Sequence, residues 1–285
     1  MREHAPGKVN LCLFLGPPRA SDGRHELVTV YESVSLADEL RLTALPAGAT
    51  DVVVCPGVDE PNLVSETLAA LRRAGWDAPP VRIEILKRIP VAAGMAGGSA
   101  DAAAALRLAP RVSPVSPATV AQIAASLGAD VPAQLAPGLS LGTGAGELVE
   151  ALPPLSEHAF ALVPLPHALS TASVYAEADR LGLGRPSQEL ASLRSGWRDH
   201  VGVNDLEAAS LSLCPPIGRA LAAIRQAGAE AAFVCGSGPT CAGLWWGPEA
   251  DEDAAGAART LVPSFPDTTV AVPVAGIGHN SGQDR

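Results

Sequence analysis

The segment KRIPVAAGMAGGSADAAAALRLA, residues 87–109, sets Gly94, Gly97 and Gly98 and a run of alanines behind a lysine and a proline. Glycine lets a backbone approach a ligand closely. A helix N-terminus presents unpaired N–H groups and a partial positive charge. Together the two make an anion site, most often for phosphate. Ser99 can cap the helix or reach a phosphate or its metal. The stretch has no G-K-[ST] and no G-x-G-x-x-G, so it is neither a Walker A loop nor a dinucleotide fingerprint. A tight strand-to-helix turn would use the same glycines; the upstream Lys87 and Pro90 favour a ligand.

Lysine itself is informative here. Of the 20 basic residues only Lys8 and Lys87 are lysines. An ammonium is a compact point charge that a planar guanidinium does not replace, and each of the two lies beside a motif. A second glycine-rich stretch, CGSGPTCAG at 235–243, leads into a strand and reads as a hairpin turn that can line the same cleft.

These residues need a scaffold. KVNLCLFL (8–15), HELVTVYESVSL (25–36), DELRLTAL, DVVVC and VRIEILK read as strands. PNLVSETLAALRRAG from Pro61, with Leu63, Leu68 and Leu71 at helical spacing, reads as a helix. SPATVAQIAASLGAD reads as another, with Ser116 as N-cap and Gly128 as stop. Prolines cluster at 151–157, which marks a boundary between 1–152 and 153–273. Beyond it come a strand (AFALVPL), helices near 172–182 and 215–227, two strands around the second glycine turn, a helix near 249–261 and a strand near 267–273. Residues 274–285 read as a mobile tail. The mixture points to an α+β fold in two lobes.

Composition bounds the rest. A chain of 285 residues that is 47% hydrophobic can bury a sizeable core. A net charge of -10 argues against a nucleic-acid or anionic-membrane partner, so any phosphate must be held by a local device. The N-terminus lacks a signal-peptide core and no apolar run approaches the ~20 residues of a membrane span. Five scattered cysteines without a C-x-x-C read as reduced, mostly buried thiols of a cytoplasmic protein. The histidines 4, 158, 167, 200 and 279 share no ligand spacing.

A proline, a few small residues and a Gly-rich loop ending in Ser before a helix is here PVAAGMAGGSADAAAAL. The chain thereby resembles the superfamily of galactokinase, homoserine kinase, mevalonate kinase and phosphomevalonate kinase (GHMP). Further segments match in order: GKVNLCLFLGPPRASDGRHELVTVYESVSLADEL, PNLVSETLAAL, LGADVPAQL, NDLE at 204–207 and GSGPTC at 236–241. They span most of residues 6–245 and are most similar to the branch acting in the non-mevalonate route to isoprenoids.

The resemblance implies a two-lobed GHMP-kinase-like fold with the active site in the cleft between the lobes. It implies ATP and Mg²⁺, and as acceptor a cytidine-diphosphate-linked methylerythritol, phosphorylated on its 2-hydroxyl. Lys8 and Asp130 fall on the catalytic pair. Asn62 and Lys87 fall near the nucleotide. Pro90, Val91, Ala92, Ala93, Gly94, Met95, Ala96, Gly97, Gly98, Ser99 and Ala100 fall on the ATP phosphate loop. Asn10, Arg24, His25, Thr171 and Tyr175 fall near the substrate, with His25 and Tyr175 around cytosine. Arg24 stands where the family has a tyrosine, and Ala96 where the loop has a glycine; Ala96 is harmless only at negative φ.

In such a kinase a carboxylate takes the alcohol proton as the phosphoryl bond forms, and the rest is positioning and charge neutralisation. Asp130 is the candidate base, with Lys8 to keep it ionised. Without the resemblance, Asp130 reads as a cap or turn residue, Lys8 as a solvated strand end, His25 as a satisfied half-buried histidine, and Tyr175 and Tyr31 as core. Two other functions fit the same residues: a homoserine- or mevalonate-type kinase, and a catalytically silent nucleotide-binding sensor.

Overall fold

The computed structural model describes residues 1–58 and 62–274. The expected helix start at Pro61 and most of the tail, His279 included, lie outside these residues. Strands β1 (Arg2–Pro18) and β2 (His25–Ala44) form a long antiparallel pair. Alternating burial would read β2 as two strands broken near Asp38. It runs through instead, because the buried Asp38 carboxylate accepts from the Arg88 and Ile89 amides and from Lys87. With β3 (Val52–Val54), β4 (Val81–Leu86), β5 (Leu139–Thr143) and β6 (Leu148–Ala151) they make one sheet, ordered β3-β4-β2-β5-β6 with β1 on β2.

Helices α1 (Leu63–Arg73), α2 (Gly97–Val112), α3 (Pro117–Leu127) and the single turn α4 (Val131–Gln134) cover one face. In α1, Val64, Thr67, Leu68 and Leu71 repeat at three- and four-residue spacing and are the buried residues. Asn62 caps it by accepting from the Val64 amide at 2.8 Å. Ser116 caps α3 as expected, accepting from Thr119 N. The alanines of α2 let it lie close on Leu40, Leu42 and Ile83, with Ala102 to Ala104 fully buried. Val131 at the start of α4 packs into the same core.

The second sheet, ordered β10-β7-β9-β8, comprises β7 (His158–Val163), β8 (Ala231–Val234), β9 (Cys241–Trp246) and β10 (Thr269–Ala271). Its helices are α5 (Thr171–Leu181), α6 (Ser187–Gly196), α7 (Glu207–Leu213), α8 (Pro216–Gln226) and α9 (Ala250–Leu261). One face packs Ile217, Leu221 and Ala254 of α8 and α9 against Ala159, Val163 and Val234. The other packs Phe160, Leu162, Phe233 and Leu244 onto Val9, Leu11, Phe14 and Val30 of the first sheet. A buried His158–Glu32 pair, 2.8 Å apart, crosses this seam. Leu190, Leu193 and Trp197 join the same cluster, so chain beyond residue 186 packs on the first sheet.

The elements β5, β6, α4, α6 and α7 were not expected. Helix α7 is only seven residues long, and α6 buries just Leu190 and Leu193. Among the described residues no helix is long and apolar enough to cross a membrane. All five cysteines are free and four are buried.

Candidate active site

The glycine loop behaves as its composition suggests. It leaves β4, and α2 begins at Gly97, three residues earlier than a Ser99 cap would require. Ser99 lies in the first turn, and no side chain caps the helix. Its first N–H groups therefore meet a cavity of about 590 Å³ lined by Gly97, Gly98 and Ser99. A Cβ on Gly98 would stand in open space, whereas one on Gly97 would meet Ile89 at 3.1 Å and Lys87 Nζ at 3.2 Å. Gly97 thus makes room for the protein, and Gly98 leaves room for a ligand. Ala96 and Ala92 both sit at φ 55°, in the left-handed region that disfavours a Cβ.

The second glycine stretch locks onto the first. Thr240 N donates to Ala93 O at 3.3 Å. A Cβ on Gly94, itself at φ +77°, would lie 2.1 Å from Cys235 O. Asn204, in the NDLE segment, donates to Val234 O and Gly236 O at 2.8 and 2.7 Å. Ser210 Oγ donates to Ser237 O at 3.1 Å. Neither Asn204 nor Ser210 stands out in the sequence as a support of the loop.

Lys8 and Asn10 sit between two β-bulges, at Pro6/Lys8 and Asn10/Cys12, irregularities that re-aim side chains beside sites. The Lys8 ammonium donates to Asn10 Oδ1 at 2.7 Å and to Gly94 O at 3.1 Å. It lies 5.7 Å from the Tyr31 ring centre. It makes no ion pair with Asp130; the two groups instead line the same cavity. Asp130 stands before α4, where it caps no amide with its side chain.

Tyr31 is more than core. It lines the cavity, burial pushes its phenol well above the ordinary range, and the Asp130 carboxylate beside the hydroxyl adds to the shift. Burial also pushes the Tyr175 phenol upward, again with Asp130 contributing. Asp130 thus has two phenols within electrostatic reach.

Lys87 is held between two carboxylates, 2.5 Å from Asp38 and 2.8 Å from Asp101. Burial lowers the affinity of the ammonium for its proton; the two carboxylates outweigh that and raise it. Burial pushes Asp101 up to about 7, Lys87 opposing and Asp38 adding. Asp101 Oδ1 is buried with no hydrogen-bond partner. An acid in an alanine-rich helix gave no sequence signal.

On the substrate side, Thr171 and Tyr175 line the cavity. Thr171 Oγ1 is 3.1 Å from Ser237 Oγ. The His25 ring lies 5.6 Å from that of Tyr175, tilted by 47°. Its Nδ1 donates to Gly16 O at 2.7 Å, and Nε2 faces Asp179 at 3.1 Å. Arg24 pairs with Asp22 at 2.9 Å and Glu147 at 3.7 Å, is 48% exposed, and stands outside the cavity lining. Among the described residues no three His, Cys, Asp or Glu gather as metal ligands.

The two-sheet fold sets an uncapped helix behind a glycine loop, facing a lysine and a carboxylate across one cavity. The family model of the GHMP kinases N terminal domain matches residues 62–138, and that of the GHMP kinases C terminal matches 183–263. The 4-diphosphocytidyl-2-C-methyl-D-erythritol kinase of Streptomyces coelicolor is 40% identical over 273 residues, 89% of this chain and 90% of that protein. The protein of the same name from Nocardia farcinica is 44% identical, covering 84% and 83%. The crystal structure of a 4-(cytidine 5'-diphospho)-2C-methyl-D-erythritol kinase superposes with a TM-score of 0.78 at 28% identity, over 98% of this chain and 100% of that one. A homoserine kinase from Cytophaga hutchinsonii shares the fold, with a TM-score of 0.61 at 19% identity and 95% of each chain covered. The chain belongs to the GHMP kinases and, within them, to the 4-diphosphocytidyl-2-C-methyl-D-erythritol kinase family.

Proposed function

We propose that this chain transfers the γ-phosphoryl group of ATP to the 2-hydroxyl of 4-diphosphocytidyl-2-C-methyl-D-erythritol. The observation that carries the reading is the convergence of Lys8, Asp130 and the uncapped start of α2 on one cavity, in a chain of this family. The N-terminal lobe, 1–152, supplies the nucleotide and catalytic groups, and the substrate-side lobe, 153–273, adds Thr171 and Tyr175.

The amides of Gly97, Gly98 and Ser99 bind the phosphates at the positive end of α2. Asn62, Lys87 and loop residues 90–100 frame the nucleotide. Asn10, Thr171 and Tyr175 hold the acceptor, and His25 with Arg24 frames its cytosine end. Asp130 accepts or orients the hydroxyl proton of the acceptor. The Lys8 ammonium uses two of its three donors on Asn10 and Gly94, leaving the third for charge that develops as the phosphoryl group moves.

Magnesium, which neutralises phosphate charge when bound, fits a site with few carboxylates, because it keeps waters and binds largely through substrate phosphates. Ser99 and Asp130 are the protein groups that would hold it. The reading keeps the protein in the cytoplasm, free of nucleic-acid and membrane partners.

The test is coupled ADP release on purified protein with a panel of acceptors. Turnover is expected with the cytidine-linked alcohol alone. Asp130→Asn should lower it about 10²–10⁴-fold if the carboxylate is the base, with ATP binding intact. Equal turnover with homoserine or mevalonate would overturn the reading.

A further inference from the structure

Lys8 is held by more than its two direct partners. Asn10 Nδ2 donates to Thr29 Oγ1 at 2.8 Å, and Thr29 Oγ1 donates to Cys12 O at 2.7 Å. All four residues lie on the β1–β2 pair, and Thr29 is fully buried.

The donors and acceptors fix a direction. A backbone carbonyl only accepts, so the one Thr29 proton goes to Cys12 O. Thr29 Oγ1 is then an acceptor and must meet the NH₂ end of Asn10. The oxygen of the Asn10 amide is thereby turned to Lys8, whose ammonium only donates. Reversing the amide would set its NH₂ against the ammonium and leave a buried carbonyl unpaired, which is costly.

We infer that Thr29 is a positioning residue for phosphoryl transfer: its hydroxyl sets the polarity of the Asn10 amide and so the place of the Lys8 ammonium. Its bearing on turnover rests on the function proposed above; its bearing on Lys8 does not. Thr29 is fully buried and does not line the cavity, so it acts only through Asn10. Valine keeps its shape and β-branching and removes only the hydroxyl, so the strand remains suited to it.

The experiment exploits the two-lysine composition. Protein labelled at lysine Nζ and Cε gives two side-chain signals, assigned with Lys8→Arg. Thr29→Val is expected to move the Lys8 signal and leave that of Lys87 in place; Thr29→Ser restores the Lys8 signal. In parallel, Thr29→Val should lower kcat by about tenfold, the weight of one hydrogen bond, with the KM for ATP unchanged. Thr29→Ser should recover kcat. In an Asn10→Ala background, adding Thr29→Val should have no further effect, since linked residues are not additive.

An unmoved Lys8 signal in Thr29→Val would overturn the inference, as would the same tenfold loss on top of Asn10→Ala. A wild type without kinase activity would refute the proposed function instead, and the lysine signals would still decide the role of Thr29.

Discussion

Tyr31 and Asp130 line the same cavity, and the Asp130 carboxylate lies near enough to help hold the proton on the Tyr31 phenol, which sits in space cleared for it by glycine. A Cβ on Gly142 would fall 2.5 Å from the Tyr31 ring, and one on Gly146 2.4 Å from its oxygen. The phenol holds its proton firmly and so is a donor within reach of that carboxylate. Tyr31→Phe keeps the ring and removes that donor. A hydrogen bond to a charged group contributes roughly 1.5–3 kcal/mol, so kcat should fall about tenfold or more with nucleotide affinity unchanged. A kcat equal to wild type would free Tyr31 from the reaction.

Gly97 and Gly98 separate two kinds of bareness. Gly98→Val should leave thermal stability near wild type and weaken ATP binding, because its side chain would enter the open cavity. Gly97→Val should instead lower the melting temperature by pressing on Ile89 and Lys87. Calorimetric titration with ATP, beside a melting curve, reads both. Intact affinity in Gly98→Val would move the phosphates elsewhere.

Ala96 carries backbone strain at the mouth of α2. A left-handed alanine costs roughly 1–2 kcal/mol, and glycine adds roughly 0.4–1 kcal/mol of unfolded-state entropy. Ala96→Gly should therefore raise stability slightly, by up to about 1.6 kcal/mol net. Denaturant unfolding measures it, and a destabilised variant would show that the Ala96 methyl contributes packing that outweighs its φ of 55°.

Asp101 makes stability depend on pH. Its carboxyl is raised from 3.8 to about 7 in the folded chain, chiefly by burial. Between those values the folded state holds a proton that the unfolded state has lost, so stability falls as pH rises through the window. Asp101→Asn removes this slope. Melting curves from pH 4 to pH 8 should show the variant gaining on wild type as pH rises. Parallel curves would mean that Asp101 stays ionised beside Lys87.

The chemistry was more legible in the sequence than the groups that hold it. Glycines before an alanine helix suggest an anion site but fit a tight turn as well, and it is the ordered motifs that point to Lys8 and Asp130. Tyr31 was hidden because a tyrosine in an apolar strand looks like core, and its hydroxyl finds Asp130 only when residues 31 and 130 fold together. Asp38 looked like a break between strands, since its three donors come from residues 87–89. Arg24, proposed at the cytosine end, is paired with Asp22 and with the distant Glu147. Sequence separation concealed Tyr31 beside Asp130, Asp38 beside residues 87–89 and Arg24 beside Glu147.

The 17-residue β1 has a second edge, beyond β2, whose closure comes late in the chain. Leu13 N donates to Val203 O, Gly202 N to Leu11 O and Asp205 N to Leu13 O. During synthesis that edge waits unpaired until some 190 further residues have emerged, roughly ten seconds or more at typical elongation rates. An open apolar strand edge is a template for other chains. A fragment ending at residue 152 should therefore aggregate, and sedimentation of that fragment, alone and mixed with 153–285, would measure how far the second half of the chain acts as a chaperone for the first.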